Sequence, residues 1–243
     1  MASPSSESAS NNTPELLLAE AREQLRQLEA ALPDGVDGYG LSQRCKLPFK
    51  VLWYREAMFW RTVQLGKSAL ENFDKDKLVS AILLTRATVE TCAALWFLSV
   101  KLKASIESRA AASIDPDLMR LLMGSKVDQD ILPPPVNVLS FVDRVEKDIP
   151  GFRRHYDRLS EFAHPNWAGT AYVFSKPEPG SGIARFGEQI RGAENVRTIG
   201  LSNLTLALMV FRMSYEPIGD LMPDFIRLCE QNSATPEEPS NGE

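Results

Sequence analysis

The stretch Tyr156-Asp-Arg-Leu-Ser-Glu-Phe-Ala-His-Pro-Asn166 sets arginine, serine, glutamate and histidine on one short segment and then stops it with proline. A guanidinium matches phosphate and carboxylate oxygens, and an imidazole can take or give a proton near neutral pH. Anion binding and proton transfer are therefore the chemistries these residue types could perform. Wound as a helix at about 100° per residue, the segment puts Phe152, Tyr156, Leu159 and Ala163 on one face, the expected core stripe. Arg153, Asp157, Ser160 and His164 share one flank. Arg158 and Phe162 share the other, with Glu161 opposite the core. Pro165 disfavours helical geometry at His164, so the helix is expected to end there, where the dipole favours positive charge. In the simplest reading, His164 only caps the last carbonyls.

Other catalytic constellations fit the spacing poorly. Glu161-Phe-Ala-His164 has the E-x-x-H form of di-iron bundles, which need a second copy, and the other histidine, His155, has Phe152 three positions before it. With two histidines and no H-E-x-x-H, no metal site and no cofactor are expected. Ser160 and His164 could touch at i, i+4, but no G-x-S-x-G elbow accompanies them.

The elements that must position this segment are helical. Leu16, Leu17, Ala21, Leu25, Leu28 and Leu32 recur at helical spacing over 15–32 and predict an amphipathic helix opened by Thr13-Pro14 and closed by Pro33-Asp-Gly35. A connector over 34–40 leads to a second helix from about Pro48 to Phe73. The third, roughly Asp76 to Ala104, is apolar almost all round between Ala81 and Val100, which predicts a central rod surrounded by other helices. Arg86 and Glu90 stand four apart on it and are expected to form a structural ion pair. A short helix over 115–123, with Asp115 as cap and Pro116 at its first position, is followed by the elbow Pro133-Pro-Pro135. Helical periodicity returns over 136–148, breaks at Pro150-Gly151 and resumes with the motif helix. The Gly- and Pro-rich run 166–195 predicts a long loop or a small hairpin pairing 170–175 with 183–187. A last apolar helix is expected over 196–215, interrupted at Pro217 and resuming to about Gln231. The class that follows is all-α, a helical bundle with an irregular insertion, organised as one domain over 15–231 between tails expected to be disordered, 1–14 and the acidic 232–243.

A chain of 243 residues, 44% of them hydrophobic, can bury a sizeable core, and a net charge of -5 argues against coating nucleic acid or anionic membrane by bulk electrostatics. Residues 81–100 match a membrane span in length but contain Arg86 and Glu90, so a buried core helix and no membrane partner are expected. Cys45, Cys92 and Cys229 are odd in number and lack CxxC spacing, which fits reduced thiols in a cytoplasmic protein.

At Arg158-Leu-Ser-Glu-Phe-Ala-His164 the chain resembles the HEPN superfamily, helical bundles in which an arginine is followed, after four to six residues, by a histidine; five intervene here. The run from Tyr156 to Asn166, followed by Trp167-Ala-Gly169 and with Arg86 and Glu90 upstream, is also similar to a family of bacterial helical proteins. The resemblance implies metal-independent RNA cleavage in a dimer, with Arg158 holding the scissile phosphate and His164 carrying the proton. Two departures stand against a simple transfer. Leu159 takes the place of the polar residue that commonly follows the arginine, and on an unbroken helix Arg158 and His164 lie about 120° apart. They converge only if the helix ends early or a second subunit completes the site. Beside this nuclease reading stands a non-catalytic module that binds RNA, a nucleotide or a protein partner through Arg153, Asp157, Ser160, Glu161, His164 and Asn166. A third reading makes the motif structural, with Tyr156, Ser160 and His164 bonding the loop while Asn166 and Trp167 anchor its first turn.

Overall fold

A computed structural model of the chain describes residues 13–128 and 130–234. The expected tails, apart from Thr13, Pro14 and 232–234, lie outside these residues. The protein is an all-α helical bundle that carries one small two-stranded hairpin.

The bundle is built around α4 (Leu78–Glu107), whose sequence has no polar face. Such a helix must be covered on every side, and α3 (Leu47–Asp74), α6 (Val138–Asp148), α7 (Phe152–Ala163) and α8 (Ala193–Ala234) pack against it. Ile82, Leu95, Leu98 and Leu102 are fully buried there. By length and composition alone α4 could cross a membrane; most of its apolar window is buried inside the bundle. The amphipathic α1 (Pro14–Ala30) lays Leu17, Ala21, Leu25 and Leu28 on α3 and α8. Thr13 caps it through a hydrogen bond from Leu16 N. Short segments α2 (Gly38–Leu41) and α5 (Asp115–Met123) flank the amino-terminal half of α3.

Several boundaries differ from the sequence reading, each for a physical reason. The interruption expected at Pro217 does not occur, and α8 runs unbroken through Pro217 and Pro223 to Ala234. An internal proline removes a helical hydrogen bond and typically costs about 3 kcal/mol in isolation. Here Phe211 and Ile218 are fully buried before and after Pro217, Phe225 is fully buried after Pro223, and Arg55 donates from Nε to Tyr215 O at 3.1 Å, so packing overrides local preference. Asp115 is not the cap of α5 but its first residue, held by Lys50 at 2.6 Å, after a 3-10 turn over Ala111–Ile114. The first half of the expected hairpin is helical instead. Residues Ala168–Tyr172 form a π turn, and the strands are the shorter β1 (Ser175–Pro177) and β2 (Ala184–Phe186), antiparallel with Lys176 opposite Arg185. Asn166 explains the change, because its Oδ1 accepts from Ala168 N and Gly169 N and winds the chain into a turn.

The start of α7 rests on a carboxylate borrowed from α6. Gly151 supplies the left-handed turn, φ 94°, and Glu146 accepts from Gly151 N at 3.0 Å and Arg153 N at 2.7 Å. The Arg153 and Gly151 amides hold the Glu146 carboxyl below its ordinary value. A depressed folded-state value contributes stability that is complete above the unfolded value, about 4.3, and is lost as pH falls through the folded one. Thermal melts from pH 6 down to pH 3 are expected to show Glu146→Gln already lacking this contribution at pH 6 and therefore falling less steeply with acid than wild type. Parallel melting curves would refute it.

Candidate functional site

Three elements enclose an open cleft of about 490 Å³: the middle of α4, the first turn of α6 and the outward flank of α7. Arg86, Glu90, Asn137, Tyr156, Ser160 and His164 line it, together with Val138, Leu139 and Asp157. Each arrives by a local rule. Asn137 follows the proline elbow and caps α6, accepting from Leu139 N at 3.0 Å, which turns the positive end of that helix toward the cleft. His164 leaves the helix in extended geometry, φ −90° and ψ 149°, the conformation that Pro165 demands. Its side chain is exposed.

A tyrosine joins the two helices at the floor. Arg86 donates from Nη2 to Tyr156 Oη at 2.8 Å, and that hydroxyl donates to Glu90 Oε1 at 2.9 Å. Arg86 Nε stands 3.2 Å from the same carboxylate oxygen, closing a three-member network whose ionic side chains are each 27% exposed. The pair therefore does more than pair along one helix. It reaches across to α7 and presents a guanidinium to solvent. Tyr156 stands on the core stripe as the sequence suggests, with its ring buried and its polar end in the cleft.

The remaining residues separate into those that face the cleft and those occupied elsewhere. Ser160 lines it but gives its hydroxyl to Tyr156 O at 3.1 Å. Asp157 lines it too and is paired with Arg153, Oδ1 to Nε at 2.9 Å. Arg153 also bridges to Asp143 of α6 at 2.6 Å, and these two carboxylates hold its guanidinium even more firmly protonated than usual. Arg153 is thereby a strut between helices and is not among the residues that line the cleft. Glu161 accepts from Asn166 Nδ2 at 2.7 Å, so both serve the turn after α7. Gly169 packs so closely on the end of α7 that a Cβ there would press on Phe162 O and His164 O.

Arg158 is exposed on the far flank, lines no part of the cleft and has no ionic or hydrogen-bonded partner among the described residues. The pairing of Arg158 with His164 implied by the resemblance is thus not assembled at this cleft; Arg86 is the arginine beside the histidine. Phe162 is buried and Ala163 only half-buried, so the core stripe is rotated slightly from the expected one. Sequence reasoning missed Asn137 and Leu139 as cleft residues. Asn137 was legible as a cap ahead of an apolar run, but nothing local says which end of α6 meets α7. Among the described residues no cluster of three or more histidine, cysteine or acidic side chains could hold a metal ion.

Comparison with protein-family models, curated proteins and solved structures finds no match.

Proposed function

We propose that this HEPN-like helical protein is a binding module that takes the phosphate of a nucleotide or of RNA into the cleft between α4, α6 and α7. The observation that carries this reading is the convergence of Arg86, His164 and the amino-terminal turn of α6 on one open hollow. The Arg86 guanidinium, the His164 imidazole and the first turn of α6 offer donors to an anion there, and both carboxylates that line the cleft are already engaged, Glu90 by Arg86 and Tyr156 and Asp157 by Arg153. The exposed Leu139 on the rim offers an apolar edge for a base. The volume, about 490 Å³, lies within the range of small-molecule sites.

Thermal shift with a panel of nucleoside mono-, di- and triphosphates tests it. A ligand at about 100 times its Kd adds roughly 2.7 kcal/mol, a shift of several degrees. His164→Ala and Arg86→Gln are expected to remove the shift without lowering the unliganded melting point below that of Tyr156→Phe. No shift with any nucleotide or short RNA would sink the reading.

A second reading, metal-independent ribonuclease activity in a dimer, is favoured by one observation: an arginine and a histidine do line the same cleft. In it His164 carries the proton and Arg86, in place of Arg158, holds the phosphate. RNA cleavage in EDTA that persists in His164→Ala would exclude it.

A further inference from the structure

At the opposite end of α3 from its junction with α4, the amino-terminal half of the helix carries an aromatic face that the described structure covers only in part. Phe49, Trp53 and Trp60 recur at i, i+4 and i+11, and the indoles of Trp53 and Trp60 are 50% and 52% exposed. A soluble helix usually turns such residues inward. Two adjoining hollows follow this face. One of about 330 Å³ runs between the indoles and the segment 33–36; the other, about 510 Å³, extends past Phe49 to Tyr39, itself 88% exposed. Val36 and Phe49 line both, so they form one elongated groove.

Its chemistry is specific in three respects. The space between the indoles is left open by small residues, Ala57 and Gly35, and a Cβ added to Gly35 would touch nothing within 4 Å. Trp60 spends its ring N–H on Pro33 O at 2.9 Å, whereas the Trp53 ring N–H has no acceptor among the described residues and remains available. The charged side chains lining the hollow between the indoles are Asp34 and Glu56, and those lining the adjoining one are Asp37 and Lys46. Glu56 is engaged by Arg55 at 2.6 Å and Tyr215 at 2.8 Å, and Asp34 has no partner among the described residues.

We infer that this groove docks a proline-rich segment of another protein, in polyproline II conformation and with an arginine or lysine at the flank that meets Asp34. Proline rings stack on exposed aromatic faces and fill slots between them, and a polyproline II strand leaves its carbonyls free for a donor such as the Trp53 indole. The length agrees. From Phe49 to Trp60 the helix rises roughly 16 Å, about five residues of polyproline II. Charge decides one flank: Asp34 attracts a cation at the end beside the indoles, while Lys46 and Asp37 together leave the Tyr39 end without a preference. The same argument disfavours the chain's own carboxyl-terminal prolines, Pro236 and Pro239, which sit among Glu237, Glu238 and Glu243. This inference is independent of the cleft.

The probe is a fluorescently labelled octaproline peptide with an arginine at each end, titrated with the full chain and followed by anisotropy. Saturable binding is expected, weakened at least tenfold by Trp53→Ala and weakened, with a flatter salt dependence, by Asp34→Asn. A peptide with glycine and serine in place of the prolines should not bind. Both substituted side chains are exposed, and unchanged circular dichroism of each variant verifies the fold; Trp53→Phe, which keeps a ring but loses the donor, gives an intermediate loss. Three results overturn the proposal: no binding at millimolar peptide, binding indifferent to Trp53→Ala, or self-association of the wild-type chain that Trp53→Ala abolishes. The last would assign the groove to a second copy.

Discussion

Phe152→Ala is expected to lower the unfolding free energy by about 3–5 kcal/mol, read as a drop in the urea midpoint at constant slope. The ring is 1% exposed and opens α7 directly after the Glu146-capped turn, so its loss leaves a cavity at the root of the site helix. A small domain's whole stability is about 5–15 kcal/mol, and this one change would take a large share of it. The consequence reaches the cleft, since Tyr156 stands one turn further along the same buried face and holds the Arg86 and Glu90 network. Phe152→Leu, which keeps most of the volume, should recover the greater part. A loss under 1 kcal/mol for the alanine variant would mean that α7 is not anchored there.

Gly200→Ala is expected to destabilise through the opposite fault, overpacking, by about 1–3 kcal/mol or more. Gly200 lies where α8 crosses the α3 and α4 layer. A Cβ there would run into the ring of Phe73 and stand 3.0 Å from Ile82 Cδ1. Both neighbours are fully buried and have nowhere to retreat. On an exposed helical site the same replacement would stabilise by up to about 1 kcal/mol, so the sign of the change separates the two environments. A variant more stable than wild type in the same urea titration would show that the layers can part at this point.

How far the sequence discloses this molecule depends on whether the governing forces are local. The all-round apolar pattern of 81–100 dictates a central helix, the single-sided pattern of 15–32 dictates a surface one, and Pro165 ends α7 where its steric rule requires. Where a partner distant in sequence intervenes, the reading fails. Pro217 reads as a break until Arg55, distant in sequence, is seen bonded to Tyr215 O two residues before it. Residues 170–175 read as loop or hairpin strand until Asn166 gathers the amides before them, and only Ser175 of that run is in a strand. The site follows the same division. His164, Ser160 and Asp157 were legible as one flank of a helix, whereas the tyrosine link from α7 to Arg86 and Glu90 and the approach of Asn137 depend on how three helices meet. Arg153 illustrates the limit in reverse: its helical spacing suggests a ligand contact, and Asp143 on the neighbouring helix has claimed it.

The two helices bordering the cleft are fastened to each other by polar contacts close to the bend between them. Glu146 and Arg153 tie them near the Pro150-Gly151 bend, and Asp148 is further held by the Trp96 indole at 3.0 Å, while Asn137 and His164 stand at the far ends. That arrangement is a pair of tongs with its pivot remote from its jaws. Over an arm of roughly 16 Å, a swing of about 5° at the bend moves a tip by about 1.4 Å, half the width of a water molecule. The separation of Asn137 and His164 across the cleft therefore depends on a bend that lines no part of it.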